Sequence, residues 1–267
     1  MPPILCDDAG VETIVYLPGY LSPPSGFALL AERMEDYRAL ELPRRPTPAA
    51  QLEAWSADVP EEAHLVASFE AGLAAVRLAV EKQARSLAWF SPYARADAAL
   101  RARVRALAWA LEAGGTEGFA RVARPLFFGG LMLDRGEELL VAWEAGLEPE
   151  GLAAWLAALE QLGDERKQLR TLKDLPVMTV VGAEDVFAPM RYAHEITEWI
   201  PELHGILVTL DGAGHFGFWE NPREAVSVAH GFITRHREFL DGPAEWQDEP
   251  AAEEPPPPLR FDPEAPK

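Results

Sequence analysis

The chain has a single cysteine, Cys6, in 267 residues, so no disulfide can form within it. That excludes the cysteine-stapled class of small secreted domains and suits a reducing cytoplasm. Positive charge is also scarce: 24 Lys and Arg stand against 43 Asp and Glu, a formal net charge of −19. Such a surface repels nucleic acid and anionic membranes on average, so neither is an expected partner. No apolar run approaches the roughly 18 residues needed to span a bilayer. The opening MPPILCDDAG has neither a basic stretch nor a long apolar stretch, so no secretory leader is expected. The six histidines show no metal-ligand spacing with cysteine or paired carboxylates, and the sequence points to no metal and no cofactor.

What the chain does have is a core's worth of apolar residues, 48% of the total, arranged in two alternating patterns. Short β-branched or apolar runs at 11–16, 37–42, 64–69 and 87–90 read as strands. Helical spacing follows at 27–34 and, after the third strand, in the alanine-rich stretch 71–84. From 94 to about 163 the pattern is almost wholly helical, with breaks expected at Gly114–Gly115, Gly129–Gly130 and 149–151. Strands resume at 177–181 and 206–210, with helices at 190–199 and 222–237. This order predicts an α/β fold, a mostly parallel sheet flanked by helices, with an inserted helical cap. The expected division is a core of 1–91 and 164–240, a cap of 92–163, and a tail of 241–267. That tail is rich in proline and acid and poor in apolar anchors, which predicts disorder and leaves a protein partner as one use for it.

Three segments carry candidate chemistry. Leu17-Pro18-Gly19-Tyr20 follows the first strand, and Leu65-Val66-Ala67-Ser68-Phe69-Glu70-Ala71-Gly72 joins the third strand to a helix. The third is a pair of loops, Gly182-Ala183-Glu184-Asp185 and Gly212-Ala213-Gly214-His215. In this order the chain resembles the α/β-hydrolase family, in its small capped esterase and C–C hydrolase branch, from about residue 11 to 232 outside the cap. The resemblance implies an oxyanion-hole loop, a nucleophile elbow, an acid and a histidine in that sequence. VGAEDVFAP is similar to the acid loop, with Asp185 in the acid position. DGAGHFGFWENP is similar to the histidine loop, with His215 in the base position. A carboxylate there orients the imidazole and stabilises its protonated form. Singly, either residue is as readily a turn or core residue; the ordered pair is what carries the resemblance.

The elbow departs from the pattern. The family motif places small residues on either side of the nucleophile, because the turn brings chain segments close together. An ungapped alignment puts Ala67 and Ala71 on the small positions and Phe69 on the nucleophile. The rival register puts Ser68 there, with bulky Val66 and Glu70 at the small positions, and is the less favoured. Phenylalanine cannot attack a carbonyl. With no nucleophile to expose, the strained elbow is expected either to relax or to be kept by a pocket that needs the ring. The resemblance also implies oxyanion-hole amides at Tyr20 and Glu70. Pro18 replaces the usual histidine. The Glu70 side chain is expected to be solvated at the helix start, favoured by the helix dipole.

Three functions stay open from sequence. The first is a hydrolase-family protein with a small-molecule pocket and an Asp185–His215 dyad but no serine nucleophile, either degenerate or using the histidine as a base. The second is a conventional serine esterase using Ser68. The third is a non-catalytic binding or interaction protein. Ser22 and Ser25 read as turn residues that could line a pocket. His64, His194, His204, His230 and His236 read as structural or surface residues. Trp109, Trp143 and Trp155 fit amphipathic packing, and Arg101–Arg105 a solvated helix face.

Overall fold

A computed structural model of the protein describes residues 11–23, 27–201 and 205–235. Cys6, Ser25, His204, His236 and the expected tail lie outside the described residues. Six strands form one parallel sheet: β1 Thr13–Leu17, β2 Arg38–Glu41, β3 His64–Ser68, β4 Ser86–Phe90, β5 Val177–Gly182 and β6 Gly205–Leu210, in the order β2-β1-β3-β4-β5-β6. The central strands alternate cleanly between two covered faces, as a parallel sheet buried on both sides requires. Val15, Leu17, Leu65, Ala67, Leu87, Trp89 and Val177 share one core, under α2 Pro48–Trp55 and α3 Ala71–Glu81 together with α9 Arg191–Trp199. Ile14, Tyr16, Val66, Ala88, Phe90, Met178 and Val180 share the opposite core. It is covered by α1 Ala28–Arg33 and α11 Pro222–Thr234. No helix among the described residues is long and apolar enough to cross a membrane.

Between β4 and β5 the chain inserts α4 Ala98–Phe127, α5 Gly130–Arg135, α6 Glu137–Ala145 and α7 Pro149–Glu160. These helices build a third core with the loops at the carboxyl ends of the strands, including Phe69, Phe187 and Phe216. The expected break at Gly114–Gly115 is present as a sharp kink at which two helices meet within the α4 span. Gly115 has φ 62°, ψ −153°, and helix resumes at once on either side. The basic stretch is not a free solvated face: Arg101 donates to the Glu160 and Leu162 carbonyls and Arg105 to the Glu160 carboxylate, tying α4 to the end of α7. The remaining short helices are α8 Arg166–Leu169, with a 3-10 turn at Arg170–Leu172, and α10 Gly217–Glu220.

The chain leaves β1 for β2 on one side and returns to β3 on the other, so the order reverses between β1 and β3. In open parallel sheets, ligand sites form beyond the strand carboxyl ends at such a switch point. Here that crevice receives the β1 loop, with Gly19 and Tyr20, and the β3 turn, with Phe69. The turn packs without slack. A Cβ on Gly72 would lie 1.8 Å from Trp89 Cε2, and Trp89 is held because its indole N–H donates to the Phe69 carbonyl at 2.7 Å. Gly72→Ala is therefore expected to cost at least about 3 kcal/mol, the upper end of overpacking penalties. A urea midpoint close to that of the parent would refute this.

Candidate active site

The backbone at Phe69 keeps the left-handed conformation, with φ 55°. Of the two outcomes expected, a relaxed turn or one kept by a pocket that needs the ring, the relaxed turn does not occur, and the neighbouring bonds supply the reason. Phe69 N–H continues the β3–β4 ladder by donating to the Phe90 carbonyl at 2.9 Å. The Phe69 carbonyl accepts from Gly72 N–H at 3.2 Å, where α3 begins, and from the Trp89 indole. Strain of this kind, worth about 1–3 kcal/mol, persists where surrounding structure over-determines it. Gly19 allows the close approach: a Cβ there would stand 2.5 Å from the Phe69 ring.

The Phe69 ring lies against His215, with centroids 4.3 Å apart and planes 17° apart. His215 sits after β6, and Asp185 sits after β5. His215 Nδ1 and Asp185 Oδ2 are 2.8 Å apart, and the other Asp185 oxygen accepts from Ala188 N–H at 2.7 Å. Phe127, Phe187 and Tyr93 bring further rings to the imidazole at 5.5, 5.0 and 6.4 Å. His215 is 2% exposed. Its backbone is pinned as well, donating to the Phe127 carbonyl and accepting from Ser91 Oγ. The cavity between Phe69, Ser68 and His215 is about 20 Å³, room for about one water.

Ser68 closes β3 and points to the β1 loop. Its Oγ accepts from Gly19 N–H at 2.9 Å and shares a hydrogen bond of 2.8 Å with Ser22 Oγ. Its described hydrogen bonds thus go to that loop and not to the imidazole. Of the histidines expected to be structural or surface, His64 is fully buried and bonds Ser86 Oγ and Glu12, whereas His194 is exposed.

Glu70 corrects the expectation of a solvated carboxylate: it is 0% exposed. Its side chain turns inward, and Oε1 accepts the Tyr20 backbone N–H in a short hydrogen bond. Gln51 Nε2 donates to the same oxygen at 3.4 Å, and Tyr93 OH donates to Oε2 at 3.2 Å. Burial pushes the Glu70 carboxyl up from its ordinary value. The amides of Tyr20 and of Glu70 itself pull the other way, as do Trp155 and Tyr93. The Trp155 indole is near enough to favour the anion but makes no hydrogen bond of normal geometry. The two amides that the resemblance assigned to an oxyanion hole thus face a carboxyl group from within the chain. The sequence held a signal for this: Glu70 stands between an apolar strand and a helix whose first turn, Ala71-Gly72-Leu73-Ala74, is entirely buried.

A second inward carboxylate joins the histidine loop to the inserted helices. Glu220 accepts from Gly129, Gly214 and Phe216 N–H at 2.7, 3.0 and 3.2 Å, while Glu184 accepts from Gly130 N–H at 2.6 Å. Burial pushes Glu220 up to about 7, against the pull of its three amide donors and with a smaller upward push from Asp185.

No family model and no curated protein matches the chain. Its backbone is similar to solved structures at high coverage and low identity. An α/β hydrolase enzyme from a Medee basin deep-sea metagenome library has a TM-score of 0.71 at 15% identity, over 85% of this chain and 90% of that one. A thermophilic esterase from Thermogutta terrifontis has 0.70 at 17%, over 85% and 91%. The enol-lactonase from Burkholderia xenovorans LB400 has 0.70 at 18%, over 84% and 92%. The fold is the α/β-hydrolase fold.

Two outcomes follow from Glu70, which is buried, and Glu220, which is half-buried. Glu70→Ala strips buried amide and hydroxyl donors of their acceptor and should cost about 3 kcal/mol in urea unfolding; an unchanged midpoint would contradict the buried network. For Glu220, the folded value lies above the ordinary 4.5, so the folded protein holds a proton that the unfolded chain has released. Its stabilising contribution is complete below about pH 4.5 and is lost as pH rises through about 7. Melting temperature should therefore fall by a few degrees from pH 5 to pH 8. Glu220→Gln should flatten that slope, and an equally steep slope in the variant would rule the assignment out.

Proposed function

We propose that this protein is a degenerate member of the hydrolase type, with the Asp–His pair retained and acyl-enzyme chemistry lost. The observation that carries the reading is the Phe69 ring stacked 4.3 Å from the His215 imidazole, where an active elbow would present a hydroxyl. Acyl transfer needs a nucleophile whose proton the imidazole can take, and amides free to receive the developing oxyanion. Phe69 supplies no nucleophile. Glu70 engages the Tyr20 amide, so even the residual catalysis of a triad lacking one member, about 10³–10⁴-fold over water, loses its source. Use of His215 as a base on water is disfavoured by its 2% exposure and its aromatic surround. The Asp185–His215 bond then serves as a tie between the loops after β5 and β6. With one cysteine the chain needs no oxidising compartment, and we place it in the cytoplasm.

A serine-directed fluorophosphonate probe tests this reading. The unmodified protein should not be labelled, and labelling at Ser68 would return it to ordinary serine esterases. F69S alone should remain unlabelled, because Glu70 still fills the hole. The F69S/E70G double variant, checked for native circular dichroism, should be labelled at position 69.

A further inference from the structure

A second cavity lies beside the switch-point loops, apart from the small one at His215. It is a cleft of about 330 Å³ between the β1 loop, the turn after β2 and the α6–α7 junction. Its apolar lining comes from Leu21, Pro23, Trp143 and Leu147, and its polar lining includes Arg44, Arg45, Glu148 and the half-buried Tyr20. Hydrogen bonds hold this lining in place. Trp143 Nε1 donates to the Leu21 carbonyl at 3.2 Å, and Arg44 Nη1 donates to the Ser22 carbonyl at 2.8 Å. The arginine turn is itself fixed, because the Pro43 carbonyl accepts from Trp55 Nε1 and the Arg45 carbonyl from Gln51 Nε2.

Arg44 and Arg45 differ from the arginines of the chain that pair with carboxylates. Arg85, Arg124 and Arg166 each hold two carboxylates. Among the described residues Arg44 and Arg45 donate only to backbone carbonyls. Among the described residues each guanidinium uses one donor in a hydrogen bond, and the rest of the fork suits two-point recognition of an oxyanion. Glu148 lines the cleft and Glu41 lies near enough to act electrostatically on Arg44, and both oppose an anion; Arg45 has no carboxylate partner among the described residues. The volume falls within the range of small-molecule sites, whose walls combine apolar surface with a few placed polar groups.

We propose that this cleft binds a small organic anion, with an oxyanion head on Arg44 and Arg45 and an apolar body against Trp143 and Leu147. Phe69, Asp185 and His215 do not line it, so the proposal does not depend on how the catalytic position is read.

Isothermal titration of the full chain at physiological salt tests it with three probes: 2-naphthoate, phenyl phosphate and the uncharged 2-naphthalenemethanol. At least one anion should bind at a single site, with the uncharged alcohol at least about tenfold weaker. Preference between the two anions identifies a carboxylate or a phosphate ester head. R45Q should weaken the bound anion about tenfold or more. R44Q should do the same, while R105Q, on the remote face of α4, should leave binding unchanged. Silence of both anions at millimolar concentration, equal binding of the alcohol, or full affinity in R45Q would each overturn the proposal.

Discussion

The left-handed turn at Phe69 is the constraint on which the rest of the site depends. It arises because β3 must stop, reverse and start α3 within two residues while its last N–H still completes the β3–β4 ladder. The Trp89 indole then fixes the carbonyl of the same residue, and Gly72 gives the indole its room. Once the backbone is held this way, the side chain at 69 has one direction open to it, into the crevice beyond β1 and β3. The residue type there decides what the crevice can do. A hydroxyl would meet His215 as a nucleophile, whereas a phenyl ring meets it as a packing surface.

The adjacent residue completes the change by a different physical route. Glu70 brings a carboxyl into a site built from backbone amides, and burial and hydrogen bonding act on it in opposite directions. Tyr20, Gln51 and Tyr93 supply donors from three separate elements, so the group is accommodated by a network and not by one contact. A buried polar network of this sort rigidifies its surroundings when satisfied. The β1 loop is bound on two sides as a result: Gly19 and Tyr20 face Ser68 and Glu70, and Leu21 and Ser22 face Trp143 and Arg44. Side chains thus fill the place where a substrate acyl group would lie, leaving space for about one water.

The strands were legible because alternation is a local signal and each central strand is buried on both faces. Asp185 and His215 were legible because each stands in a loop of characteristic sequence after a strand, and register carries them together at 2.8 Å. α2 was not legible: its signal, Thr47 capping Ala50 N–H with proline at the first helical position, hides within a proline-rich run that reads as a loop. The Gly114–Gly115 break was legible because paired glycines interrupt the helical pattern, and Gly115 does leave the helical conformation where two helices meet. Glu70 was misread because helix-dipole reasoning weighs only the local terminus, whereas its direction is set by Tyr20, Gln51 and Tyr93, up to 50 residues away in sequence. The arginine cleft left no trace in any one segment, because its walls come from three stretches joined only by folding.

Features usually taken as marks of activity have structural causes here. The strained elbow is demanded by the strand ladder and by Trp89, whatever side chain stands at its tip. The Asp185–His215 bond joins two loops at the carboxyl edge of the sheet, and removing the histidine would leave a carboxylate with 0% side-chain exposure without its partner. Breaking such a pair is strongly destabilising even where the pair itself adds little net stability. Both features therefore have a structural role whether or not the site carries out chemistry. What separates a working member of this fold from a closed one is smaller: the atoms at positions 69 and 70, which decide whether the imidazole and the amides face a reactant or the protein's own interior.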